Sequence, residues 1–476
     1  MSRDLLIAAG PGELRGLLVE AGRGVELRIE RAGAGARVGE IHLGRIAKLL
    51  PALPGALVEI GLERPAFLSA EDVIVPPEKR AAGIAAWLTE GQSVVVQVTR
   101  ETQGDKAVSV SMRPRLAGRL LTLTPTRAKV VMPNTVGPDA CDRVVAVVAG
   151  RLADGQGAIL GIGAFAVEPD ALLAELASLQ ARWAALHLRA RQGTPPARLD
   201  DETGLVGSLL DALAESVPDR IVIDDRPTLA AARNWVARQP PAFRSAIAFH
   251  EGSEDIFERH GVADDLAAAM DARVALPGAG ALTVESAAAM TVIDVDGGDA
   301  VGGRGDPAKA ALAVNLTAAA AAARQIRLRN LAGAIVIDFI SMERRGDRER
   351  VGAALAKALA DDPAEPRILG WTRLGHVELT RRRRHKPLAE ILYERPAGAP
   401  VKSALTVALE ALRAAARQAA HHPGRSPTLI VHPAVAAALA DTAAAARCEL
   451  ETLLARPVAI VADPARGRET FDIRPG

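Results

Sequence analysis

Apolar and polar positions alternate with two periods along this chain, and the switches between them divide it into blocks. Three short runs near the start, DLLIAA, RGLLVEA and GVELRIER, are broken by glycines and predict strands over residues 1–35. From Val38 the texture changes. VGEIHLGRIAKLLPALPGALVEIGLERPAFLSAEDV and GQSVVVQVTRETQGDKAVSVSM alternate and turn at short intervals. Several short strands with glycine turns over about 80 residues predict a small closed β-barrel. RLLTLTPTRAKVVMPNT is strand-like, and EPDALLAELASLQARWAALHLRARQ carries Leu, Ala and Trp on one helical face. After the loop GTPPARLDD, SVPDRIVIDDRPTLAAARNWVA and SAIAFHEGSEDIFERHGV each predict a strand followed by a helix. The end of the chain, ALTVALEALRAAARQAAHH, TLIVHPAVAAALADT and RPVAIVADP, predicts a small α/β domain.

The stretch from Leu282 to Arg384 organises the rest. LTVESAAAMTVIDVDGG is a strand that ends at Asp294, NLTAAAAAARQIRLRN is a long helix, and GAIVIDFISM is a second strand carrying Asp338. Asp306 and Pro307 supply an N-cap and a first helical residue, and Gly333 is the expected helix stop. A strand–helix–strand unit of this length predicts a right-handed crossover between parallel strands. Asp294 and Asp338 then lie near the carboxyl ends of neighbouring strands, the edge where open α/β sheets hold ligands. Two carboxylates converging there repel unless a cation sits between them, and hard oxygen ligands with open positions suit Mg²⁺. A lone strand-end aspartate is also a common turn former, so the matched pair carries the reading. Late in the helix, Arg324 and Arg327 share a face, as do Gln325 and Arg329. Those arginines suit either phosphate or the helix C-terminal dipole. A further acid pair, Asp224 and Asp225, is read as a strand-to-helix turn with a cap.

Composition narrows the field. The chain has 476 residues, 49% of them hydrophobic and 3% aromatic, with a net charge of +1. That length implies roughly three domains. The charge balance shows no global basic field, so any polyanion site is local. Two cysteines, Cys141 and Cys448, exclude a disulfide framework and a Cys-x-x-Cys zinc pair, and fit a reducing cytoplasm. No signal peptide or membrane-spanning run is expected.

Four stretches carry a resemblance: GEIHLGRIAKLLPALPGALVEIGLERPAFL, VIDVDGG, NLTAAAAAARQIRLRNLAGAIVIDFISM and WTRLGHVELTRRRR. The first resembles an S1-type OB barrel. The others are similar to the catalytic block of the ribonuclease E/G family, and the likeness covers nearly the whole chain. It implies an α/β multidomain protein in which an S1/OB barrel is inserted in an RNase H-like unit, followed by a DNase I-like catalytic domain and a small α/β domain. The expected boundaries are 1–35 and 205–276 for the two RNase H-like parts, 36–118 for the barrel, 119–204 for a degenerate 5′-sensor-like domain, 277–390 for the catalytic domain and 391–476 for the C-terminal domain.

The same likeness implies residue roles. Asp294 and Asp338 are the catalytic metal ligands, with Asp296 at a family Asn position as an additional candidate. Phe67 is a base-stacking ring, with Leu57 at the place of a second aromatic. Lys106, Arg324, Arg327 and Arg373 contact RNA. His42, Arg45, Lys48 and Arg64 are further candidates for backbone contacts. The family's Arg-Thr sensor pair falls at Gly161 and Ile162, neither of which binds phosphate, and two family glutamates fall at Ala288 and Thr317. YERPAGAPVKS replaces the Cys-Pro-x-Cys zinc link, so a homo-oligomer, if one forms, lacks that link. The expected activity is Mg²⁺-dependent hydrolysis of single-stranded RNA in RNA processing or decay. The alternative is an RNA-binding protein of the same fold with reduced or lost catalysis.

Overall fold

The structure, a computed structural model, describes residues 3–33, 35–50, 53–75, 83–101, 107–132, 138–200, 204–213, 218–237, 239, 244–252, 254–278, 280–287, 289–298, 306–394, 400–422 and 424–475. The chain divides into two compact units. One comprises Met1–Ala32, Leu205–Asn234 and Ser245–Gly476, and the other comprises Gly33–Gly204 and Trp235–Arg244.

The first unit opens with an antiparallel meander, β1 (Arg3–Gly10), β2 (Glu13–Glu20) and β3 (Arg23–Arg31). Two later strands, β4 (Arg220–Ile223) and β5 (Ala246–Phe249), extend the sheet in parallel on the β1 side, giving the order β5-β4-β1-β2-β3. Leu5, Leu6 and Ile7 form a continuous apolar run because both faces of β1 are covered, and all three are fully buried. Helix α1 (Ala263–Met270) leads on towards a second sheet.

That sheet has six strands: β6 (Arg273–Ala275), β7 (Ala281–Ser286), β8 (Met290–Asp296), β9 (Gly333–Asp338), β10 (Arg367–Trp371) and β11 (Val377–Arg381). Their order is β6-β7-β8-β9-β11-β10, and β8 and β9 form its parallel pair. Helix α2 (Pro307–Leu328) joins β8 to β9, and α3 (Arg345–Leu359) joins β9 to β10. Ile293, Val295, Ile335, Ile337, Val377 and Leu379 point to one face and pack with Val314, Ala318, Ala322, Val351 and Leu355 of the two helices. The strand period of two puts the intervening residues on the opposite face, which is open along β8.

Helix α2 starts as its sequence predicts: the Asp306 side chain accepts from Ala308 N at 3.0 Å, and Pro307 follows. Its stop corrects the expected one. Asn330, at φ +52°, is the left-handed residue, and Leu331 N reaches back to Ile326 O at 2.9 Å. This is the glycine-type C-cap geometry carried by an asparagine. Gly333, at φ +87°, instead opens β9. The unit ends in a three-stranded sheet, β12 (Pro427–Val431), β13 (Ala459–Ala462) and β14 (Phe471–Pro475), packed under α4 (Ala404–His421) and its neighbours.

The second unit holds the barrel. Strands Ile41–Leu50, Gly55–Glu59, Ala66–Ser69, Ser109–Ser111 and Ser93–Arg100 pair in that order, and the first also pairs with the last, which closes the sheet. This is an S1/OB-like barrel around Ile46, Val58, Ala66, Leu68, Val96 and Val110. A separate four-stranded sheet lies against the long helix Pro169–Gln192. No helix of the described residues is long and apolar enough to cross a membrane.

Candidate active site

Strand β8 reads Met-Thr-Val-Ile-Asp-Val-Asp with burial alternating residue by residue. Thr291, Ile293 and Val295 are buried, so Met290, Val292, Asp294 and Asp296 share the open face. Asp294 stands in register with Asp338 of β9. Register partners on parallel neighbours point to the same side, about 4.8 Å apart at the backbone. The two carboxylates are therefore neighbours on the open face, at the carboxyl end of the parallel pair. Among the described residues no cationic side chain sits in ion-pair range of Asp294.

Asp338 meets one partner that sequence reasoning missed: His376 Nε2 lies 3.5 Å from its Oδ1. The two approach because β11 pairs antiparallel with β9 as far as Ile337 and Val377, and His376 is the next residue of the hairpin. The hairpin turn is locked by Thr372 N donating to His376 O at 2.8 Å and His376 N donating to Thr372 Oγ1 at 3.1 Å. Arg373 is exposed in this turn, beyond the end of β9 that carries Asp338.

Below the site, Asn315 of α2 is completely buried. Its Nδ2 donates to Ile340 O at 2.8 Å and its Oδ1 accepts from Ile340 N at 3.0 Å. That clamp fixes the backbone two residues beyond Asp338. The sequence shows only an asparagine in an alanine-rich helix; its burial and its partner come from the fold.

Several residues with expected roles meet other partners in the structure. Asp296 is paired at the surface: its Oδ2 accepts from Arg273 Nη2 at 2.8 Å and its Oδ1 accepts from Gly298 N at 2.9 Å. The Gly298 N–H, then Arg273, hold its carboxyl below the usual range. Among the described residues no three His, Cys, Asp or Glu side chains gather as a metal cage. Two carboxylates with the remaining positions open fit a hard cation that keeps water or phosphate ligands.

Arg324 and Arg327 face the interior of their own unit. Arg324 Nη1 pairs with Asp265 at 2.7 Å, and Arg327 Nε and Nη1 reach Glu26 at 3.2 Å and Glu20 at 3.4 Å. Arg329, brought down to about 10 by burial, donates to Gln325, Ala268 O and Asp271 O. This helix end is cationic because β2, β3 and α1 present carboxylates and carbonyls to it. Neither expected reading, phosphate or helix dipole, names those partners.

The basic run at 381–386 also divides. Arg381 is buried, bidentate on Asp362 at 2.7 and 3.0 Å, and bonded to Asn330 and Leu331 O. Arg382 and Arg383 pair outside with Glu365 and Glu390. Asp225 caps the helix after β4 through Thr228 N at 2.8 Å, and Asp224 accepts from Ala9 N at 2.8 Å, so that pair is structural as expected.

Comparison with known proteins gives this site a context. The model of the ribonuclease E/G family matches residues 115–384, more than half of the chain and inclusive of both aspartates. This chain belongs to the ribonuclease E/G family. Ribonuclease G of Salmonella typhimurium (strain SL1344) is 31% identical over 490 residues, covering 99% of each chain. Ribonuclease G of Escherichia coli (strain K12) is 30% identical over the same coverage. Ribonuclease E of Escherichia coli (strain K12) is 32% identical over 400 residues, covering 82% of this chain and 38% of that protein.

Ribonuclease E/G membership directs attention to the barrel as well. Phe67 is half-buried and lies outside the barrel core, on the face opposite Ala66 and Leu68. Register places Lys48, Leu57, Phe67 and Ser109 side by side across four strands. A Cβ at Gly55 would lie 2.5 Å from the Phe67 ring, so only glycine lets the ring sit there. Arg45, Lys48 and Arg64 are exposed. His42 is not a surface contact: it is buried with Nε2 3.3 Å from Glu40 Oε2. Lys106, Ala288 and residues 395–399 lie outside the described residues. Gly161 follows the strand Gly157–Leu160 and Ile162 begins a short 3-10 turn. Thr317 bonds its own helix at Ala313 O.

Proposed function

We propose that this protein is a Mg²⁺-dependent endoribonuclease that hydrolyses single-stranded RNA, acting in RNA processing or decay in the cytoplasm. The observation that carries the reading is the register pairing of Asp294 with Asp338 on an open sheet face. The relatives named Ribonuclease G and Ribonuclease E support the reaction class. Asp294 and Asp338 would hold the ion, which when bound supplies Lewis-acid activation of the scissile phosphate and of a water. The chain's own residues do the rest. The two carboxylates offer hard, exposed acceptors. Asn315 holds the backbone that carries Asp338 onward. Arg373 offers an exposed cation in the turn for a substrate phosphate. In the barrel, Phe67 presents a ring face to a base, a stacking contact of about 1–3 kcal/mol, and Lys48 stands in the same row.

Gly161 and Ile162 favour a second reading in one respect. With no hydroxyl or guanidinium at the pair, recognition of an RNA 5′ end is absent from this proposal, and RNA binding with reduced catalysis is the alternative. One experiment separates the two. Purified protein is incubated with a fluorescent single-stranded RNA in Mg²⁺ or in EDTA, beside Asp338→Asn. Cleavage confined to the wild type in Mg²⁺ supports the hydrolase. Binding without cleavage supports the alternative, and cleavage that persists in Asp338→Asn places the chemistry elsewhere.

A further inference from the structure

We infer that His376 is a positioning residue for Asp338, presenting a ring N–H to one carboxylate oxygen so that the other is left to hold the cation. The inference rests on the reading of Asp294 and Asp338 as metal ligands. Its geometry is independent of that reading: Nε2 stands 3.5 Å from Oδ1, at ion-pair distance rather than as a formed hydrogen bond, and the role requires the tautomer with its proton on Nε2. Apo contacts of this kind are often long and tighten once the site is loaded. A carboxylate on a strand end rotates about two torsions, and an oriented donor removes that freedom. Partners one step behind a ligand commonly change metal affinity by about 10–100-fold when removed.

The ring is also free to do this without serving the turn. The hairpin is fixed by the backbone of His376 and the hydroxyl of Thr372, not by the imidazole. Side-chain exposure is 32% for His376 and 49% for Asp338, so both reach the open face rather than the core. Asp294 has no equivalent partner among the described residues. The pair is therefore asymmetric, with a histidine beside one carboxylate and none beside the other.

The test uses the full chain with Mn²⁺ as the probe, its free concentration followed by electron paramagnetic resonance. His376→Leu is expected to weaken Mn²⁺ binding about 10–100-fold, and to lower kcat on RNA with KM and melting temperature unchanged. His376→Gln places an amide N–H where Nε2 was and is expected to restore most of the loss. Wild-type Mn²⁺ affinity in His376→Leu overturns the proposal. So does equal weakness of the Leu and Gln variants, because the donor then does not matter. Asp338→Asn separates the two levels. If it binds Mn²⁺ as the wild type does, the carboxylate site itself is wrong. If it loses binding while His376→Leu keeps it, only the role of His376 falls.

Discussion

Asn315 and Asp338 show how differently two polar residues reveal themselves. Asp338 was legible because it interrupts an apolar strand where an acid has no packing role, and Asp294 repeats the pattern. His376 was not, because it becomes a neighbour of Asp338 only when β11 pairs with β9. The partners of Arg324 and Arg327 were hidden for the same reason: the sequence displays their charges but not Asp265, Glu26 and Glu20, which lie far away along the chain. Asn315→Ala leaves both the Ile340 N–H and C=O without their buried partner, and each unmet group costs about 1–3 kcal/mol. The expected outcome is a lowered urea midpoint together with weaker Mn²⁺ binding, since the clamp lies two residues from Asp338. Asn315→Asp keeps the acceptor, loses the donor and adds a buried charge, so it is expected to be no better.

Helix α2 is the element on which the site depends, and its two ends were unequally readable. Asp306 and Pro307 form a local signal that acts within one turn. The stop at Asn330 is not local. Its left-handed backbone ends the helix while its side chain donates to His385 O and Lys386 O and accepts from Arg381. Sequence alone points to Gly333, because glycine is the default for that conformation. The two contributions are separable. Asn330→Gly keeps the backbone geometry and loses the side-chain bonds, whereas Asn330→Ala loses both. The alanine variant is expected to be less stable than the glycine variant by about 1 kcal/mol, measured by urea denaturation. Both should fall below the wild type, because Arg381 is then left with fewer acceptors in the interior.

At the scale of the molecule, buried acids tie stability to pH. The Asp224 carboxyl is pushed up to about 6, first by burial, against the Ala9 N–H and Arg413, which favour its charge. A folded state that holds this proton more tightly than the unfolded chain is favoured at low pH. That advantage is lost as pH rises from about 4 through about 6, and a shift of this size corresponds to about 3 kcal/mol. Asp224→Asn keeps the acceptor for Ala9 N and is expected to abolish the decline, read from urea midpoints between pH 4 and 7. Glu13 works in the opposite sense. Burial pushes its carboxyl up, but Arg15, Arg413 and Arg31 together bring it to about 2. Its contribution is present above its unfolded value of 4.5 and is lost as pH falls through about 2.

The parallel pairing of Asp4–Ile7 with Arg220–Ile223 has a consequence during synthesis. When β1 leaves the ribosome its partner has not been made, and more than two hundred residues must follow before that edge can close. Until then Leu5, Leu6 and Ile7 border an unsatisfied strand edge, the kind that recruits other chains. A message cut short anywhere in this interval would yield a fragment with a sticky margin. Aggregation of nascent or truncated product is thus the hazard built into this topology, and slow translation through the interval would prolong it.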